Sequence, residues 1–276
     1  MPDLHHGLMY RRFSKGLYSI GHNAMVTDKA GKQLNIMTEY LFRKLSGMIA
    51  VNDVMRSAFS VVCTDKARFA KGDYIVQPGQ DFRSVYLIVD GWATRSKLTS
   101  NGARQIINFA IPGDILCFNA ALFDKAEVHI QAHTAIDAFS IPIRPFSDLL
   151  NNQPQLAVAL AWTAAQEEGV VSERLLSLGR RSARQRAAHL LCEIHRRLQV
   201  VDLVRPGEQF QLPLTQEDLA DSLGISMIHT NRVLRDLVRG GLIAMERNSV
   251  RLLDLERLRE ISEFSDDYLH FPEDKK

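Results

Sequence analysis

The sequence predicts an α+β protein with three parts: an N-terminal β-roll of the jelly-roll type, a long helix, and a C-terminal winged helix-turn-helix. Three observations support this fold class. Short strands alternate with regularly spaced glycine turns in the first half, one long apolar-patterned helix follows Pro154, and two short amphipathic helices near the end are separated by a single glycine. The 276 residues are enough for two modest domains, and the net charge of +2 neither demands nor excludes a nucleic-acid partner.

The first residues and the first helical pattern define the N-terminal boundary. Residues 1–36 show little hydrophobic period, so we expect a mobile N-terminal extension without chemistry of its own. A helical pattern, "MTEYLFRKLSGMIAVNDVMRSAF", opens at Met37. The predicted β-roll sensor domain therefore covers residues 37–153.

Five glycines mark turns between the predicted strands, at spacings of 7 to 12 residues: Gly72, Gly79, Gly91, Gly102 and Gly113. Between them lie "YIV", "VYLIV", "ATRSKL" and "RQIINFAI", which are rich in β-branched and aromatic residues. Short strands at this regular spacing are typical of an antiparallel sandwich or barrel. The pair Asn101–Gly102 predicts a two-residue hairpin turn.

The apolar pattern of residues 154–179 predicts a long dimerisation helix. Its apolar residues recur mostly at intervals of three and four: Leu156, Leu160, Ala164, Val171, Leu175 and Leu178. Such a seam is typical of a helix that pairs with a second helix, and we expect a homodimer. The alternative is that this face packs on its own β-domain.

The last domain, predicted over residues 180–265, begins with a basic helix, "SARQRAAHLLCEIHRRL". Thr215 and Asp218 then form a predicted capping box, and Gly224 ends that short helix. Ser226 is the expected N-cap of the next helix, Met227 to about Gly240. Two short strands in "GLIAMERNSVRLLD" complete a winged helix-turn-helix, and residues 266–276 are predicted as a C-terminal tail.

The second helix of this motif carries the candidate DNA-reading residues. Val233, Leu234 and Leu237 repeat at the spacing of a buried helix face. The opposite face carries Ile228, Asn231, Arg232 and Arg235. An arginine can donate two hydrogen bonds to guanine, and an asparagine pairs with adenine. Thr215, Ser226 and His229 lie at helix starts, where hydroxyls and free amides hold phosphates. The alternative is an ordinary solvated helix face. The arginine cluster Arg180, Arg181, Arg184 and Arg186 could support the DNA backbone, but it is more typical of a hydrated helix surface with internal ion pairs.

Five stretches in this order, "GDYIVQPGQ", "VYLIVDGWA", "FAIPGDIL", "RQRAAHLLCEI" and "LTQEDLADSLGISMIHTNRVLRDLVRGGLI", resemble the Crp/Fnr superfamily of bacterial transcription regulators. The resemblance covers Met37 to Ser262 and is strongest to a branch frequent in alphaproteobacteria. It implies a cyclic-nucleotide-binding-like β-roll, a homodimer on pseudo-palindromic double-stranded DNA, and a contact with RNA polymerase in the cytoplasm. Arg232 matches the family's guanine-reading arginine, whereas Ile228 replaces a common glutamate, so the half-site is expected to differ.

The resemblance also suggests an effector pocket formed by Asp114, Lys125 and His129, with Asp114 reaching a ribose hydroxyl. Relatives that bind cyclic AMP hold its phosphate with an arginine and a hydroxyl residue. Here those positions align with Ala126 and Glu127, and a carboxylate repels a phosphate in a low-dielectric pocket. Cyclic AMP is therefore not expected, and the effector is left open.

No cofactor or metal is predicted. Cys63, Cys117 and Cys192 form no CxxC pair, and oxygen-sensing relatives need clustered N-terminal cysteines for an iron–sulfur cluster. A haem-responsive alternative would use His129 or His133, with His5 and His6 near the terminus, but residues four apart on a strand lie about 13 Å from each other. A redox-responsive alternative would use Cys192, whose apolar neighbours indicate a buried structural thiol.

An enzyme of the cupin type is the alternative from another class. That chemistry needs an H-x-H pair, and "HIQAH" has the wrong spacing, so we expect no enzymatic activity. The sequence contains no apolar run near 18 residues and no signal-peptide pattern, which predicts a cytoplasmic protein without a membrane partner.

Overall fold

The computed structural model describes residues 38–271, so the expected extension 1–36 lies outside the described residues. Within this range, no helix is both long enough and apolar enough to cross a membrane. The first described elements are α1, whose described part is 38–45, and α2, Asp53–Val62. Asn52 ends the intervening loop by accepting a hydrogen bond from the Met55 amide at 2.9 Å, and Phe42 of α1 packs edge-on against Phe59 of α2.

Eight strands form the β-roll: β1 Asp65–Phe69, β2 Tyr74–Val76, β3 Ser84–Asp90, β4 Ala93–Leu98, β5 Arg104–Ala110, β6 Ile115–Leu116, β7 His129–Ala132 and β8 Ile136–Pro142. They build two antiparallel sheets, ordered β1-β8-β3-β6 and β2-β7-β4-β5. Alternate side chains of both sheets, such as Leu87, Ile130 and Phe139, form one buried core between them. The predicted β-roll is confirmed.

The hairpin β4–β5 is also confirmed, but its predicted two-residue loop is wrong. Leu98 pairs with Arg104, and the Thr99 amide donates to the Ala103 carbonyl at 2.9 Å, so three residues remain in the loop. Gly102 has φ +85° and supplies the left-handed step, while the Asn101 side chain accepts a hydrogen bond from Thr99 Oγ1. The asparagine thus closes the loop with its side chain rather than as the first of two turn residues.

Three helices follow the roll: α3 Ile143–Asn152, α4 Pro154–Arg180 and α5 Ala183–Val200. Leu156 and Leu160 of α4 are fully buried in the core of the β-roll, so the first part of the predicted pairing seam packs on its own domain. The open stripe of α4 consists of Val158, Val171, Leu175 and Leu176. The predicted apolar residues therefore belong to two faces of α4. Leu156 and Leu160 lie on the face that packs on the β-roll, and Val171 and Leu175 are exposed.

The C-terminal domain contains β9 Gln209–Gln211, α6 Gln216–Leu223, α7 Met227–Arg239, β10 Ile243–Glu246, β11 Ser249–Leu252 and α8 Leu255–Ser262. The strands form one sheet in the order β10-β11-β9, which adds a third strand to the predicted wing. The described part of the expected C-terminal tail is 266–271. That part contains a short 3-10 helix, Asp267–Leu269, and buries Leu269 completely, because an apolar side chain there packs on the helices.

Candidate nucleic-acid interface

Local capping interactions build the helix-turn-helix. Thr215 Oγ1 accepts a hydrogen bond from the Asp218 amide at 3.1 Å, and the Thr215 amide donates to Asp218 Oδ2 at 2.9 Å, which confirms the capping box. Gly224 takes φ +64° at the end of α6. Ser226 then caps α7 by accepting from the His229 amide at 3.3 Å. These caps fix where α7 begins and therefore which of its side chains face outward.

The outer face of α7 holds six of the seven predicted DNA-binding residues. Ile228 is 74 % exposed, although an isolated isoleucine gains free energy by burial. His229, Arg232 and Arg235 are also exposed, and Asn231 is half-buried. On the opposite face, Val233, Leu234 and Leu237 are buried as expected. The structure thus brings Ser226 and the five α7 residues together on one surface.

The two arginines of this surface are available for a ligand. Among the residues that the structure describes, neither Arg232 nor Arg235 forms a hydrogen bond or an ion pair. Together with Ile228, Asn231, Asp236 and Arg239 they line a shallow depression over the helix. A guanidinium without an internal partner can donate its fork of hydrogen bonds to a base or a phosphate.

The capping hydroxyls differ in what they can offer a phosphate. Thr215, at the start of α6, uses its hydroxyl within the capping box, where Oγ1 also donates to the Asp218 carboxylate. A phosphate contact through Thr215 would therefore need that bond to break. Ser226 only accepts through its hydroxyl, so its own proton is free for a phosphate oxygen.

The wing adds one basic residue, Arg247, that the sequence reasoning missed. A groove between α7 and the wing is lined by Gln216, Asn231, Arg235, Arg239 and Arg247, among others. Arg247 lies exposed at the turn between β10 and β11. Its position between the two short strands predicted in "GLIAMERNSVRLLD" was the available signal, because a charged turn residue beside a reading helix lies within reach of the DNA backbone.

The helix-turn-helix also contacts the β-roll through charged side chains that are buried or partly buried. Arg104 of β5 donates to Asp221 at 2.6 Å and to Asp218 at 2.9 Å, and His133 lies 3.5 Å from the Asp218 carboxylate. Burial alone would raise the pKa of Asp218, but hydrogen bonds from Thr215 and the charges of His133 and Arg104 bring that pKa below its ordinary value. Asp218 is therefore an anion that joins the cap of α6 to the roll.

The predicted arginine cluster divides into structural and exposed members. Arg181 is buried and pairs with Glu173 at 2.9 Å, and Arg186 donates to the backbone carbonyl of Leu223 at 2.9 Å. Arg180 and Arg184 are exposed. The cluster thus combines exposed arginines with an internal ion pair, as expected, and Arg186 in addition connects α5 to the end of α6.

The three predicted effector-pocket residues are not brought together. Asp114 is buried, and its carboxylate is taken by Lys44, by Arg197 at 2.8 Å and by the Ile111 amide at 2.8 Å. Burial would raise the pKa of Asp114, but the two cations lower it, so Asp114 is an internal anion and cannot reach a ribose hydroxyl in this arrangement. Lys125 is exposed, and His129 packs against the Tyr74 ring at 5.6 Å.

The residues at the positions that the resemblance assigns to a cyclic nucleotide do not provide its contacts. Where the resemblance places the phosphate-holding pair, Ala126 is buried and Glu127 is exposed, so that position offers no cation or hydroxyl. The carboxylate of Asp114 is already neutralised by two internal cations. Neither half of such a ligand, the phosphate or the ribose, therefore finds a partner at these positions.

The cysteine and histidines considered for redox or haem sensing either pack inside the protein or lie outside the described residues. Cys192 is buried, and burial raises its pKa to about 12, so its thiol is protonated at neutral pH and unsuited to a redox switch. His133 contacts the Pro213 carbonyl and Asp218, while His5 and His6 lie outside the described residues. Over residues 38–271, no group of three or more histidine, cysteine or acidic side chains is placed to hold a metal ion.

Comparisons with known proteins agree with this architecture. The family model of the Crp-like helix-turn-helix domain matches residues 185–261, and that of the cyclic nucleotide-binding domain matches residues 66–153. The transcriptional activatory protein AadR of Rhodopseudomonas palustris is 32% identical over 174 residues, which cover 63% of this chain and 71% of that relative. The nitrogen fixation regulation protein FixK of Bradyrhizobium diazoefficiens is 28% identical over 197 residues, covering 71% of this chain and 81% of FixK.

A solved structure shows the same arrangement of parts. FixK2 from Bradyrhizobium japonicum superposes with a TM-score of 0.65 at 25% identity, covering 73% of this chain and 98% of FixK2. The β-roll, the long helix and the winged helix-turn-helix thus occur together in a solved regulator and in this chain. The chain belongs to the Crp/Fnr superfamily and is a DNA-binding transcription regulator.

Proposed function

We propose that this regulator binds a pseudo-palindromic site in double-stranded DNA as a homodimer, with α7 in the major groove. The observation that carries the proposal is the outer face of α7, where Arg232 and Arg235 are exposed without an internal partner among the described residues, beside Ile228 and Asn231. Cations held at the surface of a helix whose other face is buried are suited to an anionic groove.

Each side chain of this face has a distinct role in the proposal. Arg232 donates two hydrogen bonds to guanine O6 and N7, Asn231 pairs with adenine, and Ile228 contacts a thymine methyl. A good bidentate pair contributes about 1–3 kcal/mol of discrimination against a wrong base. Ser226, His229, Arg235 and Arg247 contact the phosphates. At Thr215 the backbone amides at the start of α6 make the phosphate contact, because the Thr215 hydroxyl is used in the capping box.

The dimer in the proposal forms along α4. Val158, Val171, Leu175 and Leu176 leave an apolar stripe exposed on this helix, while its other face packs on the β-roll. A second copy would cover that stripe and relate the two α7 helices by a two-fold axis, which places two half-sites about one helical turn apart. The proposed parts are the β-roll sensor domain 37–153, the dimerisation helix 154–179 and the DNA-binding domain 180–265.

The regulator in this proposal works in the cytoplasm, and the family resemblance supports a contact with RNA polymerase. Its DNA binding does not depend on cyclic AMP, because Asp114 is paired internally and Glu127 stands where the phosphate would lie.

The substitution Leu175→Glu tests the dimer. Leu175 is 72 % exposed, so a charge there does not disturb the core of one copy but places two carboxylates at the two-fold axis. The wild-type protein is expected to have twice the chain mass of 31.2 kDa by light scattering, and the variant is expected to have that chain mass and to lose affinity for duplex DNA. Leu122→Glu, at another exposed leucine (58 %), is the matched control and stays dimeric. A dimeric Leu175→Glu variant with normal DNA affinity contradicts the proposed interface.

A further inference from the structure

The segment 264–271, here called the strap, leaves α8 and packs along the long helix α4. Phe271 contacts the Trp162 ring at 6.4 Å, and the Gln166 side-chain amide donates to the Leu269 carbonyl. Gly169 lies directly beneath the Tyr268 carbonyl, where an added Cβ would come within 2.7 Å of that oxygen. Positions 162, 166 and 169 share one face of a helix, so the strap follows α4 for about two turns.

The same strap is bonded to α5, the first helix of the DNA-binding domain. The Tyr268 hydroxyl donates to Glu193 at 3.2 Å, and the Tyr268 ring stacks on His189 at 5.9 Å with an interplanar angle of 18°. Asp266 accepts from Arg196 of α5 at 2.7 Å. One short segment therefore connects α4 with α5 through side chains from both helices.

The contact with Glu193 lies inside a buried network of charges. The Glu193 carboxylate is 1% exposed and receives Arg174 of α4 at 3.4 Å as well as Tyr268, and Arg197 lies 3.6 Å away. Burial is the main cause that raises the pKa of Tyr268, so its hydroxyl remains a donor at neutral pH. A buried carboxylate that loses one donor is destabilised, so the network strongly favours the closed strap.

The chain itself does not fix the angle between α4 and α5. Arg181 and Ser182 between the two helices have extended backbone, with ψ 145° and ψ 159°. Helical hydrogen bonds are therefore interrupted at this junction, and the orientation of the DNA-binding domain depends on side-chain contacts.

We propose that the strap is a positioning element that, together with the bonds of Arg104 and Arg174, fixes the DNA-binding domain on α4, so that both α7 helices of a dimer fit two half-sites at once. This inference rests on the proposed function, because it needs two half-sites. With the strap closed, Ile228, Arg232 and Arg235 remain exposed, so the strap orients the reading surface without covering it.

Gly169 offers a selective way to open the strap. Alanine normally stabilises a helix relative to glycine, but at residue 169 its Cβ meets the backbone oxygen of Tyr268. Gly179 lies in the same helix, and nothing there lies within 4 Å of the place that an added Cβ would take, so Gly179→Ala is the matched control. The two variants make the same chemical change in α4 and differ only in whether the strap is in contact.

The experiment combines hydrogen exchange with two affinity measurements. Exchange of the amides of 264–271 reports whether the strap is closed, and affinity is measured for the duplex with two half-sites and for the duplex with one. Gly169→Ala is expected to speed exchange in the strap and to lower the two-site affinity about tenfold, because a mobile domain lowers the effective concentration of the second reading helix. Affinity for one half-site is expected to stay unchanged, and Gly179→Ala is expected to match the wild type in every measurement.

Tyr268→Phe provides a second variant in case Gly169→Ala folds poorly. It keeps the ring against His189 but removes the donor to Glu193, and it is expected to change the same two readouts in the same direction. The inference is overturned if amide exchange in the strap becomes faster but the preference for two half-sites stays. It is also overturned if the variant gains affinity for the two-site duplex, or if its strap exchanges as slowly as that of the wild type. A wild-type protein without a two-site preference contradicts the proposed function instead.

Discussion

At the scale of single residues, function depends on which charged side chains already have partners. Arg104, Arg181 and Arg197 are used inside the protein, where they pair with carboxylates of neighbouring elements. Arg232 and Arg235 lack such partners among the described residues and are exposed. This division separates the arginines that hold the fold from those available for DNA.

Two buried histidines make stability depend on pH. Burial, followed by nearby arginines, lowers the pKa of His189 to about 3 and that of His195 to about 4, from 6.5. Between pH 6.5 and 4 the unfolded chain binds protons that the folded protein does not bind. The free energy of unfolding is therefore expected to fall as the pH falls, by up to about 1.4 kcal/mol per pH unit for each histidine.

Urea unfolding between pH 7 and pH 4.5 measures this slope. The carboxyl groups of Asp114, Asp218 and Asp266 have pKa values below 3.8 in the fold and begin to protonate in the unfolded chain only near pH 3.8, so they add little to the slope above pH 4.5. His189→Gln keeps a polar side chain without the titration, so its slope is expected to be shallower. An unchanged slope in that variant would show that His189 does not remain neutral in the fold.

At the scale of elements, the turn between α6 and α7 positions the reading helix. Gly224 combines a left-handed backbone, φ +64°, with close packing, since an added Cβ would lie 2.7 Å from Leu178 Cδ2 of α4. The turn is thus held both by backbone conformation and by contact with the long helix.

Gly224→Ala and Gly241→Ala separate these two effects. Both glycines have positive φ, and a left-handed alanine costs roughly 1–2 kcal/mol at either position. Gly241 has nothing within 4 Å, whereas Leu178 must move away from an alanine at residue 224. Gly224→Ala is therefore expected to lower the free energy of unfolding by about 1 kcal/mol more than Gly241→Ala, measured by urea denaturation. Equal losses would mean that the Leu178 contact contributes nothing.

Elements were predictable from the sequence wherever local chemistry decides them. Thr215, Gly224 and Ser226 act on residues within one turn, so their roles could be inferred without the fold. Asp114 could not be assigned in this way, because its partners Lys44 and Arg197 are 70 and 83 residues away. The two faces of α4 and the packing of 266–271 could not be predicted either, because both depend on contacts with elements that are distant in the sequence.

At the scale of the whole molecule, α4 connects every functional part. Its first turns belong to the core of the β-roll, its open stripe is the proposed dimer surface, and its middle turns hold the strap. Arg104 and His133 join the roll to α6 from the other side. A change in the roll can therefore reach α7 by two routes, and a population shift between orientations of the DNA-binding domain is the form that control would take.

Selection of random duplexes by the purified, ligand-free protein decides whether α7 reads a two-fold symmetric site through Arg232. The selection is run at a stated salt concentration, because phosphate contacts weaken steeply as salt rises, and with Arg232→Ala in parallel. We predict that the wild-type protein enriches one palindrome with a guanine in each half-site, and that Arg232→Ala keeps the symmetry but loses the preference for that guanine. Enrichment of no palindrome by the intact dimer would mean that an activating effector is missing, whereas the same guanine preference in both proteins would show that Arg232 does not read that base.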